Sequence, residues 1–429
     1  MDVRVRAGAI AIAIGTSLPA LAIAQPQGGP GSNDKSEPPA TEDRVPDKDP
    51  KAGEPATPTT PTKPTKIEWN DTVEGKLVPA GHGDRFTWEP FGYLRLQYIV
   101  VQNDPNIAFV GRDDGFELQN ARLGVRGQLR DRVRYLISID GAVDEREQIN
   151  VPEGKLRVGL RDAYADVALG DGFPGGAPRP LVRAGFFQTW VDPESQVPDT
   201  ARGFVDKPIE SRGIRATEGF QTQGLTPGRS LGAALRLEPQ TEPDNVGGGV
   251  ELAVQNGADE FASNNDNDKP AVSAAALLRV HGGTYAVVAG RYNPRTVGEL
   301  PFRQDENDLQ VTGGLQVAAG PVSIGGGGAF IHTTFPTTGG PAQNAYGAHA
   351  QVIVGFGSDE LPIGVGYRFG ILDPSSLIVT DRVMEHTAGA MLGVPALHMR
   401  FQLQLTHVIE QAARELSNSR AQLAVEVAL

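Results

Sequence analysis

The sequence predicts an all-β protein, a transmembrane antiparallel β-barrel of about sixteen strands, each crossing with alternating side chains. Three observations predict it. Short runs with a side-chain period of two recur from about residue 86 to the end. Tight turns and longer polar loops alternate between those runs. Beyond the N-terminus no apolar run reaches the length of about 18 residues that a spanning helix needs.

Taken in order, the chain opens with Arg4 and Arg6, then an apolar stretch Gly8–Ala22, then Ala22-Ile23-Ala24. A positive start, a short apolar core and an A-x-A site predict an export signal over 1–24, with the mature chain starting at Gln25. A short N-terminal anchor is the alternative. Residues 25–66 hold ten prolines among Gly, Ser, Thr and charged residues. Such a stretch buries too little apolar surface to fold, and reads as a disordered periplasmic linker, either an inert spacer or a cell-wall contact. Residues 67–85 form a lead-in, and the barrel occupies 86–429.

Runs fall near 91–101, 117–129, 133–141, 159–169, 181–190, 230–238, 248–256, 272–280, 284–292, 308–317, 321–332, 345–356, 361–370, 386–394, 397–408 and 420–429. The second and third show the pattern best. Ala121, Leu123, Val125, Gly127 and Leu129 alternate with Arg122, Gly124, Arg126 and Gln128. Arg130-Asp131-Arg132 turns the chain, and Val133, Tyr135, Ile137 and Ile139 continue the apolar face: a hairpin. Connections after even-numbered runs are mostly short, and those after odd-numbered runs mostly long. An even strand count with this alternation places both ends on the short-turn, periplasmic side of an outer-membrane barrel. Gly325–Gly328 marks a bulge or a closely packed loop.

Parity assigns faces. The inward positions collect nine cations: Arg122, Arg126, Arg134, Arg183, Arg236, Arg279, Arg291, Arg368 and Arg400. Five acids face them: Asp140, Asp162, Asp166, Glu251 and Glu426. The wall is then +4, although the whole chain is −13, and a ring of arginines favours anions. Arg–Asp ladders that merely brace the wall are the alternative. The longest loop, Val191–Arg229, is too long for a simple turn. A sixteen-stranded barrel leaves an aqueous channel that something must narrow if it is to discriminate. Phe204 and Val205 are expected to pack this loop on the wall, with its acids pairing wall arginines. A subset of Arg202, Lys207, Arg212 and Arg215 is expected at the narrowest point. A lid over the mouth is the alternative.

Other chemistry is poorly represented. There is no cysteine, which excludes disulfides and thiolate metal sites. An acidic chain is a poor partner for nucleic acid. No phosphate-loop, dinucleotide, zinc-protease or serine-hydrolase motif occurs, so no enzyme, cofactor or metal is expected. Glu385-His386 could form half of an acid–base pair, and Ala262–Lys269 could offer oxygens to calcium, but neither has the remaining partners.

The segments Gly115–Leu129 (GFELQNARLGVRGQL), Leu160–Asp166 (LRDAYAD), Val182–Gln188 (VRAGFFQ) and Phe204–Lys207 (FVDK) resemble the phosphate-selective porin O and P family. The resemblance implies a sixteen-stranded trimeric outer-membrane channel whose long loop folds into the lumen. Outward Ala163, Ala165, Ala388 and Ala390 suit flat packing between barrels, so a homotrimer in outer-membrane lipid is expected. The expected function is passive diffusion of small hydrophilic solutes with preference for anions, phosphate among them. A non-conducting barrel serving as adhesin or envelope scaffold is the alternative.

Overall fold

The computed structural model describes residues 81–83, 86–111, 114–130, 132–142, 158–170, 179–215, 217–239, 246–257, 268–280, 283–297, 303–411 and 415–428. The expected export signal, the linker, the lead-in apart from Gly81–Gly83, and most of Ala262–Lys269 lie outside these residues.

Strict alternation makes sixteen long strands. The first eight are β1 Phe86–Val101, β2 Gly115–Leu129, β3 Val133–Asp140, β4 Gly159–Ala168, β5 Arg179–Phe187, β6 Ser230–Glu238, β7 Gly247–Gln255 and β8 Ala271–Val280. The second eight are β9 Thr284–Val297, β10 Gln304–Ala319, β11 Val322–Thr334, β12 Gln343–Ser358, β13 Leu361–Asp373, β14 Val383–Val394, β15 Met399–Glu410 and β16 Arg420–Ala428. Each pairs antiparallel with the next, and β16 pairs with β1, matching Glu426 to Arg95 and Leu423 to Tyr98. The sheet is closed, which removes the unpaired edges an open sheet would expose. Gly81–Gly83 adds a short strand beside the start of β1. No described helix is long and apolar enough to cross a membrane.

Each strand matches one sequence run. The ends differ: β9 and β10 reach Val297 and Gln304, so their connection is much shorter than the run spacing suggests. Gly325–Gly328 holds unbroken register against Leu315 and its neighbours, so it is not a bulge. Two bulges lie elsewhere. The register slips between Arg95 and Leu96 of β1, passing over Gln119 of β2. It slips again between Ser138 and Ile139 of β3, passing over Arg161 of β4.

Burial is inverted relative to a water-soluble sheet. On β7, Glu251 is 1 % exposed while its neighbour Leu252 is 56 % exposed. Gln402 and Gln404 are buried on β15, whereas Leu403 and Leu405 stand outside. Leu309, Ile324 and Val288 continue the outward apolar band. Water would not tolerate such a band, and hydrocarbon covers it.

Substituting Leu252→Arg places a charge in the middle of that band. The expected destabilisation is about 2–4 kcal/mol, the cost of arginine at the midplane of a membrane barrel. A urea titration of the lipid-refolded barrel checks this, and an unchanged midpoint would overturn the assignment of faces.

Candidate functional site: a loop folded into the lumen

The chain between β5 and β6, residues 188–229, turns inward. Short pieces give it shape: 3-10 turns at Pro193–Gln196 and Asp199–Ala201, a single helical turn Ile209–Arg212, and a small ladder pairing Gly213–Ile214 with Thr222–Gln223. Asp192 caps the first turn by accepting a hydrogen bond from the Glu194 amide at 3.1 Å.

A loop inside a barrel must satisfy its own backbone, and the wall supplies the partners. Thr312 Oγ1 donates to the Val191 carbonyl and Gln310 Nε2 to the Leu225 carbonyl, both at 2.6 Å. Arg368 Nη1 donates to the Asp206 carbonyl at 2.9 Å. Arg400 Nη1 and Gln402 Nε2 share the Arg202 carbonyl, at 2.9 and 3.1 Å. Gln404 Oε1 accepts from the Val205 amide at 3.0 Å. All of these partners stand on β10, β13 or β15.

The same side of the wall leaves room for the loop. A Cβ on Gly366 or Gly389 would stand 3.0 Å from the Phe204 ring, and one on Gly347 would stand 2.5 Å from the Glu210 Cβ. These inward glycines form a berth, and the Arg368 guanidinium lies 4.6 Å above the Phe204 ring. Val205 is buried as well, so both residues expected to pack against the wall do so. Ile209, Ile214 and Leu225 join wall residues Ala345, Leu372, Val383 and Val408 in one apolar cluster. Trp190 and Val191 join Leu277, Tyr285 and Val287 in another.

A charged latch completes the seat. Arg212 reaches Glu218 and Glu385, each at 2.7 Å. Arg420 also reaches Glu385, at 2.9 Å. Asp206 sits 3.7 Å from Arg215 and 3.9 Å from Arg420. Burial pushes the Asp206 and Glu218 carboxyls up, but the surrounding Arg212, Arg215 and Arg420 more than reverse this. Asp206 is brought down to about 2. At the other end of the loop, burial likewise raises Asp199, and Arg202, Arg161 and Lys207 hold it well below the carboxylate range.

With the loop seated there, an opening remains on the opposite side. A cavity of about 350 Å³ lies between residues 195–202 and the wall of β1 to β8. Arg122, Arg126, Arg183, Arg202, Arg229, Arg236 and Arg279 line it, against Asp162 and Asp199. Further acids stand behind the arginines: Asp166 grips Arg183 at 2.6 and 2.8 Å, and Glu251 pairs with Arg236. Aromatic rings splint the guanidiniums, with Arg183 3.8 Å from the Tyr164 centroid and Arg236 5.3 Å from that of Trp190. A second cavity of about 450 Å³, nearer the tight-turn rim, includes Arg134.

All nine wall arginines point inward, but they do different things. Arg122, Arg126, Arg183, Arg236 and Arg279 line the first cavity. Arg134 bridges Asp166 and Glu238 beside the second. Arg368 and Arg400 hold loop carbonyls. Arg291 of β9 stands opposite Gln310 of β10. Of the loop cations, Arg202 lines the cavity, Lys207 lies 3.5 Å from Asp192, and Arg212 and Arg215 are buried in the latch. The wall-wide surplus needs correction. Seven further acids face inward: Glu89, Glu117, Glu238, Glu306, Asp308, Glu385 and Glu410. Four further arginines do so as well: Arg95, Arg161, Arg295 and Arg420. Among the described strand side chains the surplus of four falls to one, and the excess of cations is local to the cavity. Glu385 and His386 face opposite ways: Glu385 holds Arg212 and Arg420, and His386 Nδ1 meets the Tyr367 hydroxyl at 2.6 Å.

Glu385→Gln leaves Arg212 and Arg420 short of a buried counter-charge. The expected cost is on the order of 3–5 kcal/mol. Trypsin should then cleave at Arg212 and Arg215; a loop as protected as before would overturn the latch. A second expectation concerns pH. A depressed carboxylate stabilises above its unfolded value and loses that stabilisation as pH falls through its folded value. For Asp206 the window runs from about 3.9 down to about 2. Protease protection of the loop should therefore persist at pH 5 and fade below pH 4; loss already at pH 5 would contradict it.

No family model matches the chain, and no curated protein matches it. Solved structures do. An anion-selective porin from Comamonas acidovorans aligns with a TM-score of 0.55 at 13% identity, covering 80% of this chain and all (100%) of that one. The trimer form of OmpT, an outer membrane protein of Vibrio cholerae, aligns at 0.53 and 10% identity, covering 80% and 99%. The outer membrane channel DcaP of Acinetobacter baumannii aligns at 0.52 and 11% identity, covering 82% and 100%. At such identities the likeness is one of fold: this chain has the barrel architecture of outer-membrane porins.

Proposed function

We propose that the protein is an outer-membrane porin passing small hydrophilic solutes by passive diffusion, with a preference for anions, phosphate among them. The observation that carries this reading is the cavity beside the loop, where seven arginines meet two acids. Paired arginines still offer several N–H donors, because each guanidinium carries five. Cations concentrated in a narrow passage set ion preference, whatever the charge of the chain as a whole. The anion-selective porin and the outer membrane channel among the structural neighbours support the reading. So do the segments that resemble the phosphate-selective porin O and P family. A homotrimer accords with outward Ala163, Ala165, Ala388 and Ala390, and with the trimer form of the Vibrio protein.

Reversal potentials in a potassium chloride gradient test the preference. Chloride should dominate, and Arg279→Gln, which removes a cation bonded to Gln196 of the loop, should lower the chloride-to-potassium ratio severalfold. Deleting Asp199–Arg215 should raise single-channel conductance severalfold. A cation-selective pore, a deletion of unchanged conductance, or a folded but silent barrel would overturn the proposal, the last favouring an adhesin or scaffold.

A further inference from the structure

The cavity beside the loop and its neighbour toward the tight-turn rim share four lining residues: Arg126, Arg183, Leu136 and Tyr164. The two cavities adjoin at these four residues. Two are guanidiniums and two are apolar or aromatic. Leu136 is the apolar member of the inward face of β3, which it shares with Arg134, Ser138 and Asp140. The loop adds Val197, Pro198 and Trp190 to the lining of the first cavity.

We infer that this junction selects organic anions, carboxylates carried on an apolar body, over inorganic oxyanions of similar charge. The inference rests on the channel reading and names the solute class of the same site. A carboxylate meets a guanidinium edge-on with two parallel hydrogen bonds. Its apolar body then covers Leu136 and Tyr164 and displaces water from them. Phosphate gains the charged contact too. Its oxygens are hydrated on all sides, however, and the apolar flank offers no donors to replace that water. The guanidiniums are held for this task. Asp166 and the Tyr164 ring fix Arg183, and Glu89 lies 3.3 Å from Arg126, whose guanidinium is 5.6 Å from the Phe91 ring. Fixed donors lose little freedom when a solute binds.

The test uses the full-length protein in planar bilayers in potassium chloride at pH 6, where benzoate and phosphate are both chiefly monoanions, with sodium benzoate or sodium phosphate added to one side. Benzoate should reduce chloride current at a concentration at least tenfold below that needed for phosphate. Leu136→Ser should bring the two concentrations together within about threefold, and the milder Leu136→Ala should shift benzoate block in the same direction. Equal block by the two anions in a chloride-selective wild-type pore would overturn this inference while leaving the channel reading standing. So would benzoate block that ignores both substitutions. A cation-selective or silent wild-type protein would overturn both.

Discussion

The contact on which the rest depends is the latch between loop and wall. Arg212, Arg215 and Arg420 meet Asp206, Glu218 and Glu385 away from water. Burying six charges is costly, and the cost is offset only when each cation finds its acid. The loop therefore has one good seat. A displaced loop would strand charges from both partners. The glycines of β12, β13 and β14 make that seat reachable, because side chains there would hold Phe204 and Glu210 off the wall. Once the loop is fixed against this side, the cavity that remains lies along the other, where β2 to β8 carry the arginines.

Net charge says little about such a cavity. The chain is acidic, and its inner wall is close to neutral. The arginine surplus survives only where the loop crowds the wall, in a cavity lined by seven arginines and two acids. Solvent screens charges beyond a Debye length of about 8 Å at physiological salt. An ion in that cavity therefore responds to the nearest guanidiniums and hardly at all to acids on distant loops.

The barrel was legible in the sequence because its two-residue period is the same everywhere. Every strand coincides with a run, and every arginine assigned inward by parity points inward. The signal failed where both faces carry similar residues. In β1, Phe91, Tyr93, Ile99 and Val101 point inward among apolar outward neighbours, which hid Arg95 between them. Glu385 and Arg420 lay at the margins of their runs, where alternation gives least information. The glycine berth left a trace that parity could have caught: Gly347, Gly366, Gly370 and Gly389 all occupy inward positions. Their role stayed hidden because a glycine records an absence of bulk and not the partner that fills the space. The latch was harder still, since its pairs join residues as far apart in sequence as Arg212 and Glu385.

The two bulges show why regular alternation misses the residues nearest the site. Each inserts one extra residue and reverses parity locally. At the first, Gln119 turns inward and its Nε2 donates to the Val205 carbonyl at 3.3 Å. At the second, Arg161 turns inward and meets Asp199 at 3.4 Å. Both therefore contact the loop, one at its wall anchor and one beside the cavity. A ladder in perfect register would send those side chains into lipid, where an arginine is costly. The departures from regularity thus fall where the wall needs additional donors for the loop. The same rule that makes the fold readable makes these positions unreadable, because at each bulge the count of residues no longer tells which face a side chain takes.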